Sequence, residues 1–315
     1  NLISAGRPFD VAPSSALYSA CVDTVAGLLT GSTSLAVFSD GPLRSVPFEA
    51  LQGSQGWLAD RFAISYPADL GIRRIPTRHS VLPSGRPPFL GIGDPTLGPP
   101  AAPGLVSRVA AALGWREGLG PLPNAARELD ALRRTLGATR EDVLLGNSAT
   151  ERAFRSHPSL SSARVIAFAT HGLVAGGRWG PNDQPSLVLT ATDGDDGYLT
   201  SGEIEQLRIT ADLVILSACD TGASDGSLGS AGLSGLARAF VAAGAGTVVA
   251  THWPVRDDAA AAFSTMLVEA WYGGMTLSEA KAHAQRRIRQ ASRGRFAHPV
   301  FWAGFVIVGE GDARW

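Results

Sequence analysis

Short apolar runs alternate with amphipathic stretches along this chain, and that alternation narrows the possible folds more than any other feature. The runs cover 35–39, 89–92, 165–170, 187–190, 213–217, 247–251 and 301–308, and are rich in Val, Ile, Leu and Phe. They are almost continuously apolar rather than strictly alternating, as strands buried on both faces of a mostly parallel sheet are. Helical periodicity lies between them, over 14–29, 124–136, 149–157, 230–243, 257–272 and 277–291. Parallel strands need right-handed crossovers, which lay helices on both faces of the sheet. The expected fold is α/β, a three-layer α/β/α sandwich with a mostly parallel sheet. A hydrophobic content of 45% supplies the core of one domain spanning 1–315.

Proline and glycine punctuate the rest. Segments 83–88 and 97–103 read as loops, and 176–184 as a polar insertion. The acidic stretch 191–197 resembles a calcium loop but lacks the later bidentate Glu. It sits between strand-like runs at 187–190 and 197–199, so a hairpin turn is expected instead. The net charge of −1 argues against nucleic-acid binding as the main activity. Two cysteines, Cys21 and Cys219, are too few for a disulfide framework, so a cytoplasmic location is expected. No secretory leader pattern is visible, and no apolar run approaches the ~20 residues needed to span a bilayer. The chain begins at Asn1 and is expected to be a piece of a longer protein.

Two runs end in reactive side chains. The run at 163–172 closes on His171-Gly172, and the run at 211–222 carries Cys219 just past its apolar part. In open α/β sheets ligands bind beyond the carboxyl ends of the strands, so adjacent strands ending this way bring both side chains to one crevice. A thiol with a pKa near ~8.5 is mostly protonated at neutral pH, and a neighbouring imidazole can take its proton. Gly172, without a Cβ, lets a backbone N–H approach a substrate carbonyl, and the N–H of Cys219 would be the second oxyanion donor. A strand-end cysteine alone is more often structural; the pair is what suggests a nucleophile and its base.

Other readings compete. Gly222-Ala-Ser-Asp-Gly226 matches a serine-hydrolase elbow, which would make Ser224 an esterase nucleophile. Such an elbow follows its strand directly, whereas this strand should end near Ser217. His171, Cys219 and His252 lack zinc-site spacing, so no metal or cofactor is expected. Trp253 either lines a substrate groove or packs at the sheet edge. Asp40 either receives a basic substrate side chain or closes the turn before Gly41-Pro42. Asp183 and Asp225 are weaker candidates for the same recognition. Asp257 reads as a helix N-cap, and the arginines at 286, 287, 289, 293 and 295 as a solvated helix face.

The hydrophobic blocks ending in His171-Gly172 and Ala218-Cys219 resemble the two signatures of the caspase/separase/gingipain clan. The wider text is similar to the CHAT domain, the caspase-like domain associated with TPR repeats. It has Asp40-Gly-Pro-Leu-Arg-Ser-Val-Pro-Phe-Glu-Ala-Leu51, Phe89-Leu-Gly-Ile-Gly-Asp-Pro95 and Leu199-Thr-Ser-Gly-Glu-Ile-Glu205. Leu216-Ser-Ala-Cys-Asp-Thr-Gly222, Gly232-Leu-Ser-Gly-Leu-Ala-Arg-Ala-Phe240, His252-Trp-Pro-Val255 and His298-Pro-Val-Phe-Trp302 follow in family order. Two positions depart: Asp220 stands where the family usually has Glu, and Ala-Thr-His precedes Trp253 in place of Ser-Leu. Both could alter the pocket, which makes Asp220 and His252 substrate-binding candidates. The resemblance implies a cysteine endopeptidase acting on a protein substrate through a His171–Cys219 dyad. It further implies control by a TPR or nucleotide-sensing module, and a role in bacterial defence or cell death. A catalytically silent interaction domain with the same fold is the alternative.

Overall fold

The computed structural model describes residues 9–39, 43, 46–67, 85–97, 119, 121–173, 184–217 and 230–315. The N-terminal part has helix α1 (Val11–Cys21), strands β1 (Ser34–Ala36), β2 (Gln52–Gly53) and β3 (Gly56–Trp57), helix α2 (Leu58–Arg61) and strand β4 (Ala63–Ser65). Next come β5 (Phe89–Pro95), α3 (Ala125–Leu136), β6 (Val143–Gly146), α4 (Glu151–Arg155), β7 (Val165–Ala169), β8 (Gly172–Leu173), β9 (Ser186–Val188) and β10 (Tyr198–Thr200). The remainder comprises α5 (Ser201–Glu205), β11 (Leu213–Leu216), α6 (Ser230–Ala243), β12 (Thr247–Thr251), α7 (Asp257–Tyr272), α8 (Leu277–Gln290) and β13 (Phe305–Gly309).

Six strands form the central sheet in the order β13-β12-β11-β7-β5-β6, parallel throughout except for β13. Successive side chains of a strand point to opposite faces. Accordingly Val165, Ala167, Leu213 and Ile215 join a core with α3, α7 and α8, while Ile166, Phe168, Val214 and Leu216 join a second core with α4, α5 and α6. This is the expected three-layer sandwich. Local sequence sets the ends of its helices. Gly137 (φ +71°) closes α3 through bonds back to the Arg133 and Arg134 carbonyls, and Thr200–Glu203 and Thr276–Glu279 capping boxes open α5 and α8.

Several expectations change. The stretch 14–29 is not one helix: α1 starts at Val11, capped by Asp10, and gives way to a 3₁₀ segment, Asp23–Leu29, none of which is buried. Of that segment Leu29 packs against the N-terminal apolar cluster, too little burial to hold α geometry over its length. The run at 35–39 contributes β1, which pairs in parallel with β4 outside the central sheet. The run at 187–190 contributes β9, the middle strand of a small antiparallel sheet β10-β9-β8. The last run is β13 preceded by a 3₁₀ turn, Pro299–Phe301. The acidic 191–197 stretch is a hairpin connection, with Thr192 bridging Asp195 and Gly194 at φ +96°. Asp257 does not cap its own helix. Its carboxylate accepts the Asn124 backbone N–H at 2.9 Å and the Asn124 side-chain amide at 2.7 Å, at the start of α3. Arg289 is not solvated: it pairs with Asp60 and lies 4.6 Å over the Trp302 ring.

Candidate functional site

The crevice forms where β5 and β7 end. Gly93 of β5 faces Ala169 of β7 so closely that a Cβ there would sit 2.3 Å from the Ala169 carbonyl oxygen. Past this point β5 bulges, and Asp94 adopts φ +46°, the only left-handed residue other than glycine among those described. Asp tolerates that conformation better than most residues, and such positions gather at functional sites. On the β7 side Thr170 is fully buried, and its hydroxyl donates to the Val188 carbonyl. The Val188 N–H donates in turn to the His171 carbonyl at 2.8 Å. The small sheet therefore holds the chain at His171, and Gly172 opens β8 by pairing with Leu187.

His171 is 1% exposed and lines a cavity of about 300 Å³ together with Asp94, Leu97, Leu119, Pro121 and Leu122. Asp94 is the one carboxylate among the described lining residues. The cavity is thus apolar on the α3 side and acidic at the end of β5. In sequence Asp94 is one residue of the Phe89–Pro95 block; its backbone conformation is the signal that marks it.

His252 and Trp253 follow β12, which β11 separates from β7. The His252 imidazole stacks on the Trp253 ring at 6.1 Å and meets the Tyr66 ring edge-on at 6.0 Å. Its Nε2 is buried without a hydrogen-bond partner among the described residues, and burial lowers its pKa. Trp253 donates its indole N–H to the Val300 carbonyl at 2.9 Å and packs against Gly304. These contacts pack one side of a ring that is half-buried. Behind His252 lies a fully buried ion pair, Lys281 with Glu49, both 0% exposed. The Tyr66 hydroxyl donates to the other Glu49 oxygen at 2.7 Å, and burial followed by the charge of Glu49 raises the tyrosine pKa. Burial lowers the Lys281 pKa, opposed by Glu49. Cys219, Asp40, Asp183, Asp220, Asp225 and Ser224 lie outside the described residues.

No group of three His, Cys, Asp or Glu residues able to hold a metal occurs among the described residues. No helix among them is long and apolar enough to cross a membrane.

The sequence profile of the CHAT domain matches residues 11–310. Tetratricopeptide repeat protein 28 of Mus musculus is 30% identical over 320 residues, covering 87% of this chain and 12% of that protein. The chain thus spans about an eighth of the curated relative it matches. Among solved structures, the Saccharomyces cerevisiae separase–securin complex aligns over 84% of this chain and 14% of that one, at 17% identity and a TM-score of 0.48. The Arg-specific cysteine proteinase gingipain R aligns over 72% of this chain and 47% of that one, at 11% identity and a TM-score of 0.38.

Proposed function

Because the chain belongs to the CHAT-domain family, we propose that it is a cysteine endopeptidase in which Cys219 attacks the scissile carbonyl and His171 serves as its base. One observation carries this reading. β7 and β11 are adjacent and parallel, and their last registered pair is Phe168 with Leu216. In sequence His171 follows Phe168 by three positions, and Cys219 follows Leu216 by three. The equal offset from one register supports a meeting of the two residues at the carboxyl end of the sheet, where α/β folds bind ligands.

In the proposed reaction the imidazole takes the thiol proton and later gives it to the leaving amine. The thiolate forms a thioester, which water hydrolyses. The backbone N–H groups of Gly172 and Cys219 would hold the oxyanion, each worth roughly 10²–10³ in rate. Cys219→Ala and His171→Ala are expected to abolish cleavage of a protein or peptide library while leaving the folded structure intact. Cleavage by Cys219→Ala at the parent rate would end the peptidase reading and leave the silent interaction domain or a Ser224 esterase.

The carboxylate of Asp94 supports selection of a substrate residue that carries a cation or hydrogen-bond donors. Asp94→Asn is expected to lower kcat/KM for Arg- or Lys-containing peptides by about tenfold or more, and far less for neutral ones. A uniform loss across both sets would remove Asp94 from specificity. The reading extends to control by a TPR or nucleotide-sensing module in defence or cell death. That a tetratricopeptide repeat protein shares the domain supports it. Supplying such a module is expected to raise cleavage; an unchanged rate would remove the regulatory part.

A further inference from the structure

One buried acid has no task in the chemistry above. Glu128 stands on α3, only 3% exposed, and faces the end of β11. The Ser217 hydroxyl donates to Glu128 Oε1 at 2.5 Å. Ser217 also shares a hydrogen bond with Ser264 of α7 at 2.9 Å, and Ser264 is itself 1% exposed and bonded to Glu128. Three elements, α3, α7 and β11, therefore meet at one carboxyl group. Along β11 the residues that face these helices are Leu213, Ile215 and then Ser217.

An apolar side chain would fill this place at lower cost. Burying a carboxyl away from water is unfavourable unless its hydrogen bonds are made, and here two serine hydroxyls make them. Among the described residues no arginine or lysine acts on Glu128, and the charge that does, Asp257, is of like sign. The arrangement is therefore a poor device for stability and a good one for fixing a backbone position. Its target is Ser217, whose N–H bonds the Phe168 carbonyl of β7 at 2.8 Å. The backbone bond ties the strand end to the His171 strand, and the side-chain bond ties it to α3.

We propose that Glu128 is a positioning residue for the reactive thiol: through the Ser217 hydroxyl it fixes the end of β11 from which Cys219 leads off. The proposal rests on the peptidase reading above. Displacing a nucleophile by an ångström can cost on the order of 10² in rate, so a bond two residues upstream has leverage on the chemistry.

The test reads the thiol directly, in a Cys21→Ser background so that Cys219 alone reacts with iodoacetamide. Glu128→Leu fills the volume and removes the acceptor, and is expected to be at least as stable as the parent. It is nevertheless expected to slow alkylation of Cys219 about tenfold and to lower kcat with KM unchanged. Glu128→Gln keeps an acceptor for Ser217 and is expected to restore both. Ser217→Ala should reproduce the loss, and decides the matter if the leucine variant does not fold. A purely structural role predicts the reverse pattern, a shift in melting temperature with an unaltered thiol. If the parent thiol is accelerated by His171 while Glu128→Leu and Ser217→Ala leave its rate unchanged, the positioning role is overturned and the peptidase reading stands. If His171→Ala has no effect on the parent thiol, the peptidase reading itself fails.

Discussion

Replacing Lys281 by methionine is expected to destabilise the fold by about 3–5 kcal/mol and to lower its melting temperature by on the order of 10 °C. Lys281 is the one lysine in the sequence and is fully buried against an equally buried Glu49. Without it the carboxylate keeps, among the described residues, the Tyr66 hydroxyl alone, and a buried charge without its counter-charge is among the costliest defects a core can carry. The pair joins residues 232 positions apart, linking the N-terminal part of the chain to α8. Tyr66 sits at the same joint, bridging Val308 of β13. The single substitution should therefore loosen the N-terminal α1–β4 unit first, which amide exchange would register as lost protection there. Adding Glu49→Gln to Lys281→Met supplies a neutral acceptor for Tyr66 and is expected to restore most of the loss. Urea titration of the three variants decides the matter. A single substitution costing less than about 1 kcal/mol would mean that the pair is dispensable, as exposed ion pairs are.

The contrast between that joint and the central sheet explains what the sequence could and could not reveal. β5, β7, β11 and β12 are buried on both faces, so their apolar runs stand out against polar flanks. α3 and α8 are legible for the complementary reason: each buries one stripe and leaves the rest wet. β6 escaped because an edge strand with four half-buried residues carries no unbroken apolar run. The turn at 191–197 names the partner of β9, which pairs with β10 as a hairpin, whereas the run at β1 names none and pairs with β4 outside the central sheet. At the site, the strand-end rule reaches His171 and Gly172 because both follow directly from one buried run. It cannot reach Asp94, marked only by a left-handed backbone. Nor can it reach Glu128, which in sequence is an ordinary acid in the first turn of a helix. Ser217 and Ser264 meet it from 89 and 136 positions away, a proximity created by packing alone.

The same carboxyl sets the second large expectation, a stability that falls as pH rises. Burial lifts the Glu128 pKa from 4.5 to about 7, against the opposing hydrogen bonds of Ser217 and then Ser264. Below pH 4.5 the group is protonated folded or unfolded, and folding incurs no penalty from it. Between those values the unfolded chain has released the proton while the folded chain still holds it, so stability declines with rising pH. Above about pH 7 both states are ionised and the loss is complete, roughly 3 kcal/mol for a shift of this size. His252 works the other way. Its lowered pKa means that the unfolded chain takes up a proton first as pH falls through 6.5, so its contribution grows with rising pH. The two partly cancel in the parent, and only a difference curve separates them. Glu128→Gln mimics the protonated acid at every pH. Parent and variant should match near pH 4.5, and by pH 8 the variant should be more stable by roughly 3 kcal/mol. Parallel stability curves for the two proteins from pH 4.5 to 8 would show that Glu128 ionises no differently in the fold than in the unfolded chain. In that case the folded carboxyl would be ionised above pH 4.5, and the Ser217 hydroxyl would hold the strand end by donating to a charged acceptor.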